Sequence, residues 1–291
     1  MNDMMLKNKQ RIDKRLDTFF VLKETDPLSG FAESMRYSLL AGGKRIRAML
    51  LLEFCRMCGG DTDAALDAAC GLEMLHACSL IHDDLPCMDN DDLRRGKPTN
   101  HIVFGESTAT LAGDALQAEA YNAILHSALP APARLRCVEL LVEAVGLHGM
   151  CGGQYLDMIW EGRTLTTEEL DLINSGKTGA LLKASCAMGV AAAGGTEEQE
   201  KAAMAFGAAV GLAFQIRDDV LDVISSVEEL GKPIGSDQQE EKNTYMALLG
   251  QEKCEALIKK LTAEATAVLR EHFQNTEALE ALAAELASRK S

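Results

Sequence analysis

Two runs of aspartate stand out by their surroundings. Asp83-Asp84-Leu85-Pro86-Cys87-Met88-Asp89 closes a long apolar stretch, and Asp218-Asp219-Val220-Leu221-Asp222 lies inside another. In the second run Asp218 and Asp222 are four apart and Asp219 and Asp222 three apart, so a helix puts the carboxylates on one face. Like charges at that spacing oppose helix formation until something neutralises them, and hard divalent cations prefer such oxygen ligands. Either run alone would serve as a solvated acidic turn. The apolar flanks Cys78-Ser79-Leu80-Ile81 and Val210-Gly211-Leu212-Ala213-Phe214 argue otherwise, because a carboxylate at the end of a buried stretch is costly without a charge partner. An EF-hand does not fit, since the residues from Asp89 onward lack its alternating ligands, glycine and closing glutamate.

Basic residues gather beside glycines in Gly42-Gly43-Lys44-Arg45-Ile46-Arg47 and in Arg94-Arg95-Gly96-Lys97-Pro98. Glycine lets backbone approach a ligand closely, and arginine forks match phosphate oxygens. Each loop alone is an ordinary basic turn. Two such loops together with two aspartate runs, in an acidic chain, point to two diphosphate groups. One would be bridged to carboxylates by metal, and the other held directly by Lys and Arg.

The elements that must carry these residues are helical. Ala, Leu, Glu and Met are abundant, aromatics are 4% of the 291 residues, and there are only 6 prolines, a balance that favours helix over strand. Apolar periodicity and Gly or Pro stops predict helices over 2–23, 29–40, 46–57, 62–84, 107–128, 132–147, 168–176, 180–193, 197–223, 254–273 and 277–289. Thr166 with Glu169 and Thr196 with Gln199 have capping-box spacing. No repeat or linker divides the chain, so residues 1–291 read as one all-α domain. The formal charge of −15 argues against nucleic acid as a partner. Nine scattered cysteines imply reduced thiols in a cytoplasmic protein, and Cys55 with Cys58 has no second pair to complete a zinc site. No apolar run of about 18 residues marks a membrane span, and the basic N-terminus lacks a signal-peptide core.

Taken in order, these elements resemble the trans-isoprenyl diphosphate synthases, the family of farnesyl and geranylgeranyl diphosphate synthases. The resemblance runs from about Ser34 to Tyr245 through Gly42–Arg47, His76, Asp83–Asp89 with Arg94-Arg95, Gly153-Gln154, Lys177-Thr178-Gly179, Phe214-Gln215, Asp218–Asp222 and Gly231-Lys232. The four residues between Asp84 and Asp89 are similar to the bacterial and plant form of the first motif. The resemblance implies a single-domain helical bundle of the isoprenoid synthase type with a central substrate cavity, and a homodimer packed through helices. It implies head-to-tail condensation of isopentenyl diphosphate with allylic diphosphates, giving C15 or C20 products. Three Mg²⁺ ions are expected with substrate bound, with Mn²⁺ as a substitute.

By the same resemblance Asp83 and Asp89, supported by Asp84, would hold metal on one wall, and Asp218, Asp219 and Asp222 would do so opposite. Lys44, Arg47, His76 and Arg95 would bind isopentenyl diphosphate. Arg94, Lys177, Gln215, Lys232 and Lys242 would bind the allylic diphosphate, with Thr178 and Gln215 near the developing cation. Cys78 and Ser79, then Met74 and Leu75 a turn deeper, would set chain length; a small thiol at Cys78, where related bacterial farnesyl enzymes carry an aromatic, predicts passage beyond C15. Residues near Leu111 to Leu116 on the neighbouring helix are the alternative cap. A class I terpene cyclase would carry an Asn-Ser-Glu second motif, and a regulatory subunit of a heteromeric synthase would lack one aspartate run. Both runs are present here.

Overall fold

The computed structural model describes residues 3–230 and 243–289. Its helices are α1 (Asp3–Leu16), α2 (Ser29–Leu39), α3 (Ile46–Met57), α4 (Leu66–Asp83), α5 (Asn100–Phe104), α6 (Glu106–Leu125), α7 (Ala131–Val145), α8 (Met150–Ile159), α9 (Thr167–Asn174), α10 (Ala180–Ala192), α11 (Glu197–Leu230), α12 (Tyr245–Leu249), α13 (Gln251–His272) and α14 (Glu277–Ser288). The strands among the described residues are β1 (Leu93–Arg94) and β2 (Lys97–Pro98), a small antiparallel ribbon in the first basic-acidic loop. The architecture is all-α, as expected.

The bundle is organised around α10, in which every residue except Lys183 is buried. A helix that is apolar on all sides belongs in the middle of a core, and α3, α4, α7 and α11 surround it. Phe54 of α3 stacks edge-on against Phe206 of α11 at 5.5 Å and Phe273 at 5.3 Å, tying three parts of this layer together. A smaller core of Leu170, Ile216, Val220, Tyr245, Cys254 and Ile258 joins α9, α11, α12 and α13.

Local chemistry explains where the observed helices depart from the predicted ones. α1 stops at Leu16 rather than 23, since Phe20 adopts a left-handed φ of 58° and Arg36 takes the carbonyls of Asp17 and Phe19 at 2.7 and 2.6 Å. α4 starts at Leu66 rather than 62, because the Asp61 side chain accepts the Asp63 and Ala64 amides and holds a turn there. Both capping boxes form, with Glu169 N donating to Thr166 Oγ1 and Gln199 N to Thr196 Oγ1, each at 3.2 Å. α5, α8 and α12 have no counterpart in the sequence reading. Short α8 contains Gly152 and Gly153, residues that lower helix propensity.

Candidate active site

The end of α4 builds the first wall. The chain turns back on itself after Asp83, and Asp89 N donates to Asp83 O at 2.9 Å, which draws the two carboxylates to one place. Burial, reinforced by the charges of Asp89 and Asp84 against the opposing pull of Lys177 and Arg94, raises the Asp83 carboxyl to about 6. Asp84 is buried and committed differently. It accepts Arg94 Nε at 2.6 Å, and Arg94 also lies 3.6 Å from Asp91.

Arg94 is fixed by the ribbon. Leu93 pairs with Pro98 and Arg94 with Lys97, leaving Arg95-Gly96 as a two-residue turn with φ of 54° and 74°. Positive φ at both central positions is the hairpin geometry that matches strand twist, and glycine supplies one of them without strain. The turn delivers the Arg95 guanidinium to Gly42 O, and the missing side chain of Gly43 leaves room for it. The two basic loops thus meet. Arg45, which sequence gave no separate role, fastens the second loop: also at a positive φ of 54°, it is buried and bonds Asp13, Glu73 and Leu39 O. Lys44 is left exposed. Among the described residues Arg47 Nε is buried with no partner, and His76 has Arg47, Arg95, Arg45 and Arg94 as charged neighbours. Burial, then those guanidinium groups, hold the His76 pKa well below the usual value, so its ring is neutral near pH 7.

A second wall comes from a break in helix geometry. α9 continues into α10 through a π turn, Ser175–Gly179, which carries Lys177 and Thr178. Single π turns inside α-helices re-aim side chains and recur at functional sites. α8 packs on this turn so closely that a Cβ at Gly153 would overlap the Lys177 backbone nitrogen. Lys177 Nζ pairs with Asp157 of α8 at 2.6 Å. Asp157 was missed in the sequence; its signal is the four-residue step from Gly153, which puts it one turn along the face that meets the π turn. Gln154, next to Gly153 in α8, has both amide atoms buried and unpartnered among the described residues.

The third wall is α11. Asp218 has Arg289 set against it, and the same guanidinium lies 4.2 Å from the centroid of Phe214. Nothing local in the sequence brings residue 289 here. Asp219 is buried with its oxygens engaged: Oδ2 accepts Tyr245 N at 2.8 Å and Oδ1 faces Gln215 Nε2 at 3.4 Å. Asp222 is exposed. Lys232 and Lys242 lie outside the described residues. Among the chain-length candidates Ser79 is half-buried and donates to His76 O at 2.9 Å, whereas Cys78 is 2% exposed and Met74 and Leu75 are fully buried. On the neighbouring helix Leu111 is 57% exposed beside a groove with Leu28 and Phe31, whereas Leu116 is fully buried.

Among the described residues no three acidic, histidine or cysteine side chains close a metal cage by themselves. The donor set nevertheless suits a hard divalent cation. Asp83 is raised by burial with Asp89 and Asp84 close by, and Asp218 draws a guanidinium; diphosphate oxygens would complete such an ion's shell, as is usual for Mg²⁺.

The polyprenyl synthetase family model matches residues 29–286. The farnesyl diphosphate synthase of Geobacillus stearothermophilus is 48% identical over 83% of this chain and 82% of its own length. Geranylgeranyl pyrophosphate synthase 3 of Arabidopsis thaliana, a chloroplastic protein, is 46% identical over 90% of this chain and 73% of its own. Among solved structures, an FPP/GFPP synthase from Zymomonas mobilis superposes with a TM-score of 0.88 at 34% identity, covering 98% of both chains. Sequence, fold and the order of the walls agree, and the chain belongs to the polyprenyl synthetase family.

Proposed function

We propose that this protein is a short-chain trans-prenyltransferase that joins isopentenyl diphosphate head-to-tail to dimethylallyl, geranyl and farnesyl diphosphates, yielding farnesyl (C15) and geranylgeranyl (C20) diphosphate. The observation that carries the reading is the junction of the two basic loops through Arg95 and Gly42, beside the Asp83–Asp89 turn. It sets a cationic anion site next to a carboxylate site in an acidic protein.

Arg47, Arg95 and Lys44 hold the isopentenyl diphosphate, and neutral His76 hydrogen-bonds it. Lys177, Arg94 and Gln215, with Lys232 and Lys242, hold the allylic diphosphate. Asp83 and Asp89 on one wall and Asp218 on the other hold three Mg²⁺ ions, or Mn²⁺ in their place; Asp84, Asp219 and Asp222 support those carboxylates. Magnesium, when bound, supplies the positive charge that makes the allylic diphosphate a leaving group. As the allylic C–O bond breaks, Thr178 and Gln215 face the cation with oxygen dipoles. The isopentenyl double bond then forms the new C–C bond at the allylic carbon, and the departed diphosphate takes a proton from the isopentenyl unit, which restores a double bond. The small Cys78 lets the chain pass C15.

The whole chain, 1–291, acts as one catalytic domain. It works as a homodimer, supported by exposed Ile102, Val103, Leu111, Leu125, Leu135 and Val142 on α5, α6 and α7. Among the described residues no helix is long and apolar enough to cross a membrane. Nine free thiols support a reducing compartment, here the cytoplasm.

The test is a product assay with Mg²⁺, isopentenyl diphosphate and each allylic primer, products dephosphorylated and resolved by length. C15 and C20 alcohols support the reading. Folded protein that extends none of the primers overturns it in favour of a regulatory subunit. Cys78→Tyr shortens the products; an unchanged distribution removes Cys78 from the account of chain length.

A further inference from the structure

One buried tyrosine joins the second wall to the third. Tyr245 opens α12 directly after Thr244, whose hydroxyl oxygen caps that helix by accepting Ala247 N at 3.1 Å. Its ring is fully buried in the smaller core with Leu170, Ile216, Val220 and Cys254. From there its two polar ends reach opposite ways. The backbone N–H donates to Asp219 Oδ2 on α11 at 2.8 Å, and the phenol donates to Asp171 Oδ1 on α9 at 2.5 Å. Asn243 ties the same segment to the loop before α9: its Oδ1 accepts Leu165 N at 2.9 Å, and its Nδ2 donates to Arg163 O at 2.6 Å.

Each end of Tyr245 meets an element that carries chemistry. Asp171 stands on the helix whose end becomes the Lys177–Thr178 turn, and Asp219 shares α11 with Asp218 and Asp222. A side chain locked by packing and bonded at its tip fixes its own backbone, and here that backbone amide fixes a carboxylate of the third wall. Packing alone does not account for the hydroxyl, since phenylalanine would fill the same core volume. Burial, then the bond to Asp171, raise the phenol above its usual value against a smaller pull from Asn174, so the hydroxyl keeps its proton and donates. Asp171 is exposed, so water can replace its partner, whereas Tyr245 and Asp219 are buried.

Resting on the prenyl-elongation reading, we propose that Tyr245 is a positioning residue: with Asp171 it forms a strut that sets the separation between the Lys177–Thr178 turn and the Asp218–Asp222 face, and so the fit of the metal-bound allylic diphosphate between them. Arg47, His76 and Arg95 stand on α3, α4 and the ribbon, outside the strut. Isopentenyl diphosphate binding is therefore independent of it.

The experiment compares wild type with Tyr245→Phe, Asp171→Leu, Asp171→Asn and the Tyr245→Phe/Asp171→Leu double variant, each after a thermal-unfolding check. Tyr245→Phe and Asp171→Leu each raise the KM for geranyl diphosphate and the Mg²⁺ concentration at half-maximal rate by roughly threefold to tenfold, the net worth of one hydrogen bond. The KM for isopentenyl diphosphate stays where wild type has it. The double variant is no worse than either single one, since both remove the same bond. Asp171→Asn still offers the phenol an oxygen and stays close to wild type. Should Tyr245→Phe not fold, Asp171→Leu, at an exposed position, decides by the same readings. Unchanged allylic and Mg²⁺ values in the folded variants overturn the strut, as does an equal rise in the KM for isopentenyl diphosphate or a fully additive loss in the double variant. A wild type that extends no primer overturns the prenyltransferase reading instead. Mn²⁺ binding, followed by electron paramagnetic resonance, then judges the strut: weaker binding in Tyr245→Phe supports it and equal binding overturns it.

Discussion

Neighbouring carboxylates in this site are held for different work. Asp219 spends its oxygens on Tyr245 N and Gln215, while among the described residues Asp218 meets the Arg289 guanidinium. Asp219→Ala leaves a buried amide unpaired, which costs about 1–3 kcal/mol and shows as a lower unfolding midpoint. Asp218→Asn gives up an ion pair worth at most about 1 kcal/mol, so its midpoint stays close to wild type while turnover falls roughly 100-fold or more. Removing the guanidinium by Arg289→Ala frees Asp218 and tightens Mn²⁺ binding, read by electron paramagnetic resonance, by up to roughly fivefold. For Asp83 the sign follows from its raised value. The folded state binds this proton more tightly than the unfolded chain, so ionising it costs stability as pH rises from the ordinary carboxylate range through about 6. In metal-free buffer Asp83→Asn is therefore more stable than wild type above pH 6, and the gap closes as pH falls toward 4; calorimetry across that window checks it.

Elements place these residues through close backbone contact, and this is where sequence reading was weakest. Gly153→Ala pushes a methyl group into the π turn, and overpacking of this kind costs about 1–3 kcal/mol. The expected result is a lower unfolding midpoint together with a higher KM for the allylic primer, because Lys177 moves with the turn. The aspartate runs, the basic loops and most long helices were legible because their signals are local: apolar period, caps and charge beside glycine. α8 was hidden, since the glycines that permit its contact with the π turn also weaken its helical signal. Asp157 was lost with it. The π turn has no composition cue of its own, and Arg95-Gly96 read as a basic loop where the register makes a hairpin. Arg289 depends on a pairing across 71 positions, which no local pattern records.

For the whole molecule the decisive surface is the one formed by α5, α6 and α7. Leu111, Leu135 and Val142 are each at least half exposed, more than a lone folded chain needs to display in one region. Sedimentation of wild type is expected to give twice the chain mass, and Leu135→Glu with Val142→Lys to give the chain mass. A wild type that sediments as a single chain at micromolar concentration removes the homodimer from the proposal.

The burial of α10 has a dynamic consequence. Amides in a helix enclosed on every side exchange with solvent only through the largest openings of the molecule, and α10 begins where the Lys177–Thr178 turn ends. That wall is thus anchored to the slowest-opening part of the bundle. The Arg94–Pro98 ribbon is two residues wide in each strand and largely exposed, so its amides belong to the fastest-exchanging class. Accommodation of successive, longer substrates falls to the basic-loop side of the site, and deuterium uptake there changes on diphosphate binding while the α10 amides keep their rates.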